Sequence, residues 1–355
     1  MRRIAFHAVG LLCTLLLCGL PLVSGRTAEL PHQLTDTEFW RIVSDTSEPN
    51  GFFHSDNLLS NEARLQHVIP NLLTNVGPAV AYLGVGPEQN FTYIASLRPR
   101  IAFIVDVRRG NLQLHLMYKA LFELSPNRAA FVARLFSKPP QHGLGSEATA
   151  EQIFEAFAQI EADEDLYKAN IAELRSVLLA RRGLPLSADD IRGIETIYHA
   201  FYWFGPLIQY RSTQGFGGWS MPTYAELMTA RDGEGQPRGY LASEERYAFV
   251  RELQMKNLVI PVVGNFAGPK ALRTVGAYLK DRNATVSAFY LSNVEQYLGR
   301  EGTWPAFCAN IAALPVDDRS TFIRSVRTGQ YVGGGGLSSQ LGNMAEEAKN
   351  CAVAR

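Results

Sequence analysis

The chain has 355 residues, 46% of them hydrophobic and 19% charged, with 34 basic residues balancing 34 acidic ones. That apolar content supports a large buried core, in one elaborated domain or two, and excludes a disordered polypeptide. A formal charge of zero, with no basic block or Arg/Lys stripe, argues against nucleic acid as the main partner.

At the N-terminus, Arg2 and Arg3 precede an uncharged, leucine-rich stretch from Ala8 to Val23, and Val23-Ser24-Gly25 supplies small residues suited to signal peptidase. Residues 1–25 therefore read as a signal peptide cleaved after Gly25, which sends the protein to a secreted or periplasmic location. The alternative is a membrane anchor formed by an uncleaved N-terminal helix. Pro21 and a run shorter than the ~20 residues of a span count against it. After cleavage no stable membrane span is expected, and Cys308 and Cys351 are the cysteines that remain. They form an even pair in a compartment that permits disulfides, and spacing leaves open whether they bond.

Residues 26–78 read as a lead-in that packs on the core. Thr35-Asp36-Thr37-Glu38 ahead of Phe39, Trp40 and Ile42 predicts a capped short helix. Phe52–Asn57 reads as a loop placed to close a pocket, and Asn61–Val68 as helical. Residues 79–124 form the first half of a Rossmann-like domain, with strands at Ala79–Val85 and Ile101–Asp106, each followed by a helix. Residues 125–241 break the alternation. Helix-spaced apolar residues such as Ile153, Phe157, Ile194 and Phe201 predict a large helical insertion roofing the ligand edge.

Residues 242–330 form the second half. Ser243 caps a helix, strands follow at Leu258–Val263 and Val286–Leu291, and Thr321–Val326 is a candidate last strand. Pro261 argues against a central position for the strand that holds it. Residues 331–355 form a tail, with Gly333–Gly336 ahead of a short polar helix. The fold class expected is α/β: a doubly wound, mostly parallel sheet with helices on both faces and a large helical insertion.

Two of these strands end in residues that a nucleotide-binding fold uses. The first stops at Gly84-Val85-Gly86, and the second stops at Asp106, 20 residues beyond Gly86. Glycines let the backbone approach a ligand, and an acid at that distance holds a ribose hydroxyl pair. Arg108 and Arg109 follow with planar forks for a phosphate or carboxylate, or sit as a solvated helix start. Gln89 and Asn90 orient an anion at a helix N-terminus or simply cap it. Asn90-Phe91-Thr92 matches a glycosylation acceptor by chance. His54, Asp56 and His67 lack a compact metal-ligand spacing, so no metal is expected. No G-x-S-x-G elbow is present. Tyr198, Tyr202, Trp203 and Phe204 read as an aromatic core or, second, as a substrate wall.

Four strands ending at Gly84/Gly86, Asp106, Asn265 and Asn293 resemble the class I S-adenosylmethionine-dependent methyltransferase fold. The resemblance covers about residues 79–125 and 245–326. It implies that Gly84, Gly86 and the loop position Glu88 cradle the methionine part, that Asp106 holds the ribose and that Asn265 meets the adenine. Asn293 and Tyr290 then lie at the reacting edge as catalytic candidates, and S-adenosylmethionine is the implied cofactor. The chain departs from the family at Tyr82, where an acid is usual, at Glu88, where a third glycine is usual, and at Asn265. It also resembles an uncharacterised bacterial family of this fold, a likeness that brings no known activity.

The sequence thus suggests an exported methyltransferase-like protein that binds a nucleoside-type small molecule at the strand ends. Two alternatives stand beside it: a non-catalytic exported binding module on the same fold, and an exported hydrolase on a related α/β scaffold. Export itself separates the protein from a cofactor that is made in the cytoplasm.

Overall fold

The computed structural model describes residues 28–214, 221–327 and 337–353. The expected signal peptide and the Gly333–Gly336 tract lie outside the described residues. The architecture is mixed α/β, built on a six-stranded, mostly parallel sheet. Strands β1 (Ala81–Gly84), β2 (Ile101–Asp106), β3 (Val259–Val263) and β4 (Val286–Ser292) are buried almost throughout. This is why each reads as a near-continuous apolar run rather than an alternating one. With β5 (Thr321–Arg327) and β6 (Leu337–Asn343), the order across the sheet is β3-β2-β1-β4-β5-β6.

Helix α1 (Asp36–Thr46) begins at Thr35, whose hydroxyl accepts the Glu38 N–H while the Glu38 carboxylate accepts the Thr35 N–H. That reciprocal pairing is the capping box the sequence predicted. A short 3₁₀ turn at Leu65–Val68 leads into α2 (Ile69–Val76), so the helix read at Asn61–Val68 begins later than expected. Helices α3 (Gln89–Leu97) and α4 (Arg109–Leu124) follow β1 and β2. Between α4 and β3 come α5 (Arg128–Leu135), α6 (Ala150–Ala158), α7 (Glu164–Arg175), α8 (Ala188–Phe204), α9 (Tyr224–Thr229) and α10 (Glu244–Met255). Helix α11 (Ala271–Lys280) joins β3 to β4, and α12 (Val294–Arg300) and α13 (Trp304–Ala312) join β4 to β5.

Strand β3 lies at the sheet edge, and that position accommodates Pro261. The Gly264 N–H donates to Asp106 and the Ala102 N–H to Leu258, so the N–H groups of the intervening odd-numbered residues face outward. Pro261 is one of these, and its missing donor costs the ladder nothing. The outward N–H of Val263 is taken by Ser47 Oγ at 3.1 Å, and the Val263 carbonyl accepts the Glu48 N–H at 2.7 Å. The lead-in thereby covers part of an otherwise open edge.

The tail differs from expectation. Leu337–Asn343 is a strand, antiparallel to β5, and only then does α14 (Met344–Val353) begin. Its sequence, Leu-Ser-Ser-Gln-Leu-Gly-Asn, is polar because it is half-buried and held mainly through backbone pairing. Cys308 of α13 and Cys351 of α14 are joined as a disulfide.

Candidate ligand cleft at the strand ends

Strand order reverses at β1, which has β2 on one side and β4 on the other. Open α/β sheets bind ligands outside the carboxyl ends of their strands at such a point. A cleft of about 810 Å³ lies there, within the range of small-molecule sites. Gly86, Asp106, Asn265 and Asn293, from four strand ends, all line it. The loop expected to close the pocket, Phe52–Asn57, lines it through Phe52, Phe53, His54 and Asn57, and Gly51 and Leu59–Glu62 line it as well. Tyr210, Arg211 and Met221 reach it from the stretch between α8 and α9.

Side chains shape the turn after β1. Asn90 Nδ2 donates to the carbonyls of Val85, Gly86 and Pro87 at 2.9, 3.1 and 2.7 Å. Asn90 Oδ1 accepts the Tyr82 hydroxyl at 2.8 Å. Asn90 is therefore the organiser of this turn, fully buried, and it does not cap α3, which has no side-chain cap. Gly84 does not line the cleft. A Cβ there would fall 1.9 Å from Asn90 Oδ1, so the glycine makes room for Asn90. Gly86 has φ +76°, a conformation that glycine adopts without strain. His115 of α4 lies beneath. Burial pushes its pKa down to about 4, against the opposing pull of the Gly86 carbonyl and the Asp106 charge. The neutral ring donates Nε2–H to the Gly86 carbonyl at 2.9 Å.

Asp106 is 4% exposed and is covered by Arg108. One carboxylate oxygen accepts the Arg108 backbone N–H at 2.9 Å, and the other accepts Nη2 at 3.3 Å. Arg108 Nη1 also bonds the Asp56 carbonyl, linking β2 to the loop that borders the cleft. Arg109 points elsewhere: it makes a bidentate pair with the buried Asp190 of α8 at 2.6 and 2.7 Å. The two arginines thus divide, one to the cleft and one to the packing of α4 on α8.

After β3, Glu48 accepts N–H groups from Asn265, Lys270 and Ala271 at 2.9–3.0 Å, which satisfies the start of α11. Asn265 Oδ1 accepts the Ala267 N–H at 2.9 Å. After β4, Ser292 has φ +51° and the pairing with β5 shifts register between Tyr290 and Ser292. Tyr290 itself is buried outside the cleft lining. Its hydroxyl donates to Glu62 Oε1 at 2.6 Å, and Ser292 Oγ donates to the same oxygen at 2.7 Å.

Glu62 lines the cleft and is the group that sequence reasoning missed. Burial raises its pKa, while the hydroxyls of Ser292, Tyr290 and Ser325 act in the other direction. No local motif marks it, since its partners are 228 and 230 residues away. Glu88 is also fully buried but does not line the cleft. It accepts the Ser60 N–H at 3.1 Å, and burial pushes its pKa up to about 8.

Of the other candidates, His54 lines the cleft and Asp56 and the aromatic group of α8 do not. Tyr198, Tyr202, Trp203 and Phe204 do not line it; Tyr198 and Tyr202 stack with Tyr167. His54 packs with Phe53 and Tyr297, and Asp56 accepts the Thr213 hydroxyl. Among the described residues no group of three His, Cys, Asp or Glu is placed to hold a metal ion, and no helix is long and apolar enough to cross a membrane.

Residues 58–345 match the family described as a domain of unknown function, DUF7790. The chain belongs to this family. No curated protein matches the sequence. The match begins at the loop bearing Ser60 and Glu62, so the family segment spans every cleft residue named above except Gly51–His54 and Asn57.

Proposed function

We propose that this DUF7790 member binds a nucleoside-type small molecule resembling S-adenosylmethionine at the carboxyl ends of β1, β2, β3 and β4. One observation carries the reading: Gly86, Asp106, Asn265 and Asn293 converge on one cleft at the switch point of the sheet. In this reading the sheet is doubly wound, residues 125–241 are a helical insertion, and Tyr210, Arg211 and Met221 are its contribution to the cleft roof. Asp106 holds the ribose once Arg108 moves aside, and Asn265 Nδ2 donates to the base. Methyl transfer would need the acceptor held in line with the methyl group, so positioning supplies most of the rate. Asn293, the residue that follows β4, orients that acceptor in this reading, while Tyr290 acts through Glu62.

The signal-like N-terminus supports an exported protein, and export favours a second reading, a binding module that kept the fold without the reaction. Calorimetry with S-adenosylhomocysteine tests the shared claim. The purified protein should bind one equivalent, and Asp106→Ala should weaken binding by about tenfold or more, the loss of one or two charge-assisted hydrogen bonds. Equal binding by the variant sinks the ribose assignment.

A further inference from the structure

Two buried oxygens at one end of the cleft have no partner. Glu62 Oε2 and Gln89 Oε1 are shielded from solvent and make no hydrogen bond. Both residues are 3% exposed, and both line the cleft. They are neighbours, because Glu62 Oε1 and Gln89 Nε2 meet the same Tyr290 hydroxyl at 2.6 and 3.3 Å. The Gln89 amide orientation is set by the Val85 carbonyl, which accepts from Nε2 at 3.3 Å; the atom left over is therefore the carbonyl oxygen. Two of the donors nearby are committed: Tyr290 and Ser292 both give their protons to Glu62 Oε1. The Ser325 hydroxyl, which favours the charged form of Glu62, makes no hydrogen bond, so a ligand donor at Oε2 competes with it. A third unpaired oxygen, Asn57 Oδ1, belongs to the same loop segment as Glu62 and also to a cleft-lining residue.

We propose that this end of the cleft is an ammonium subsite, in which Glu62 Oε2 and Gln89 Oε1 accept N–H bonds from a protonated primary amine of the ligand. An ammonium brings three donors and a positive charge, the complement of a carboxylate and an amide oxygen. A hydroxyl brings one donor for two acceptors. A phosphate or carboxylate brings acceptors to acceptors. The uncapped start of α3 would by itself favour an anion. The side chains beside it reverse that preference, so a pyrophosphate-bearing dinucleotide is the wrong ligand.

The proposal rests on the nucleoside reading only for its choice of probes. Calorimetry should compare the adenosine thioether carrying a 5′-aminopropyl chain with 5′-methylthioadenosine and with ADP. The amine should bind about tenfold tighter than methylthioadenosine, and ADP more weakly than either. Glu62→Gln, with folding checked by circular dichroism, should bring the two thioethers within about threefold of each other. Equal affinities in the unmodified protein, tighter ADP binding, or an undiminished preference in the variant overturns the subsite and leaves the nucleoside reading standing. If no adenosine compound binds, the nucleoside reading falls and n-propylammonium alone decides. A shift of the Gln89 side-chain amide resonance, absent with 1-propanol, supports the subsite; no shift at saturating amine overturns it.

Discussion

The Ser60 backbone N–H donates to the buried carboxyl of Glu88 at 3.1 Å, tying the lead-in loop to the turn after β1. The other Glu88 oxygen is unpaired, and among the described residues no cation is bonded to the group. Burial raises its pKa from 4.5 to about 8, so the folded state binds more protons than the unfolded one between those values. Stability contributed by the neutral carboxyl is complete below about pH 4.5 and is lost as pH rises through about 8. The slope is about 1.4 kcal/mol per pH unit for one group. Glu88→Gln should flatten the decline by that amount when unfolding free energy is measured by denaturant titration at several pH values. Parallel curves for the two proteins would show that Glu88 titrates normally.

Asn90 spends both amide protons on three carbonyls, so replacing the amide by a carboxylate turns donors into acceptors. Asn90→Asp should destabilise by about 3 kcal/mol or more, the cost of a buried charge among unpaired groups. Tyr82→Phe, which leaves Asn90 Oδ1 without its donor, should cost about 1–3 kcal/mol. Urea midpoints at constant m-value would measure both.

Adjacent arginines should separate by phenotype. Arg109→Ala strands the buried Asp190 carboxylate, but Arg109 is itself 39% exposed, so the loss is discounted to about 1–3 kcal/mol. Nucleoside affinity should be unchanged. Arg108→Ala should also lower stability, and it should tighten S-adenosylhomocysteine binding several-fold by uncovering Asp106. Weaker binding in Arg108→Ala would mean that the guanidinium contacts the ligand.

The Cys308–Cys351 bridge closes a loop with a sequence separation of 43, which the chain-entropy account values at about 4 kcal/mol. Oxidised, denatured protein should titrate no thiol from this pair, and Cys351→Ser should lower the unfolding free energy by an amount near that figure.

How far the molecule was legible in its sequence follows from burial. Strands β1 to β4 are covered by packing throughout, so their apolar runs announced them, and Pro261 correctly pointed away from the centre. β6 was missed because an edge strand held by backbone pairing needs no apolar side chains. The strand ends at Gly86, Asp106, Asn265 and Asn293 were legible as terminations of those runs, and the structure places all four on the cleft. Gly84 and Glu88 were read as ligand contacts, yet they serve the packing of Asn90 and the anchoring of Ser60. Glu62 had no signal at all. Its meaning depends on Tyr290 and Ser292, which only the fold brings to it.

Crystallographic analysis of the protein with S-adenosylhomocysteine tests the central claim most directly. The account predicts the nucleoside in the cleft, its ribose hydroxyls within hydrogen-bond distance of Asp106, its base beside Asn265 and its amino group against Glu62. A saturated crystal with the cleft empty and the Asp106–Arg108 pair intact, or a ligand seated elsewhere, would contradict it.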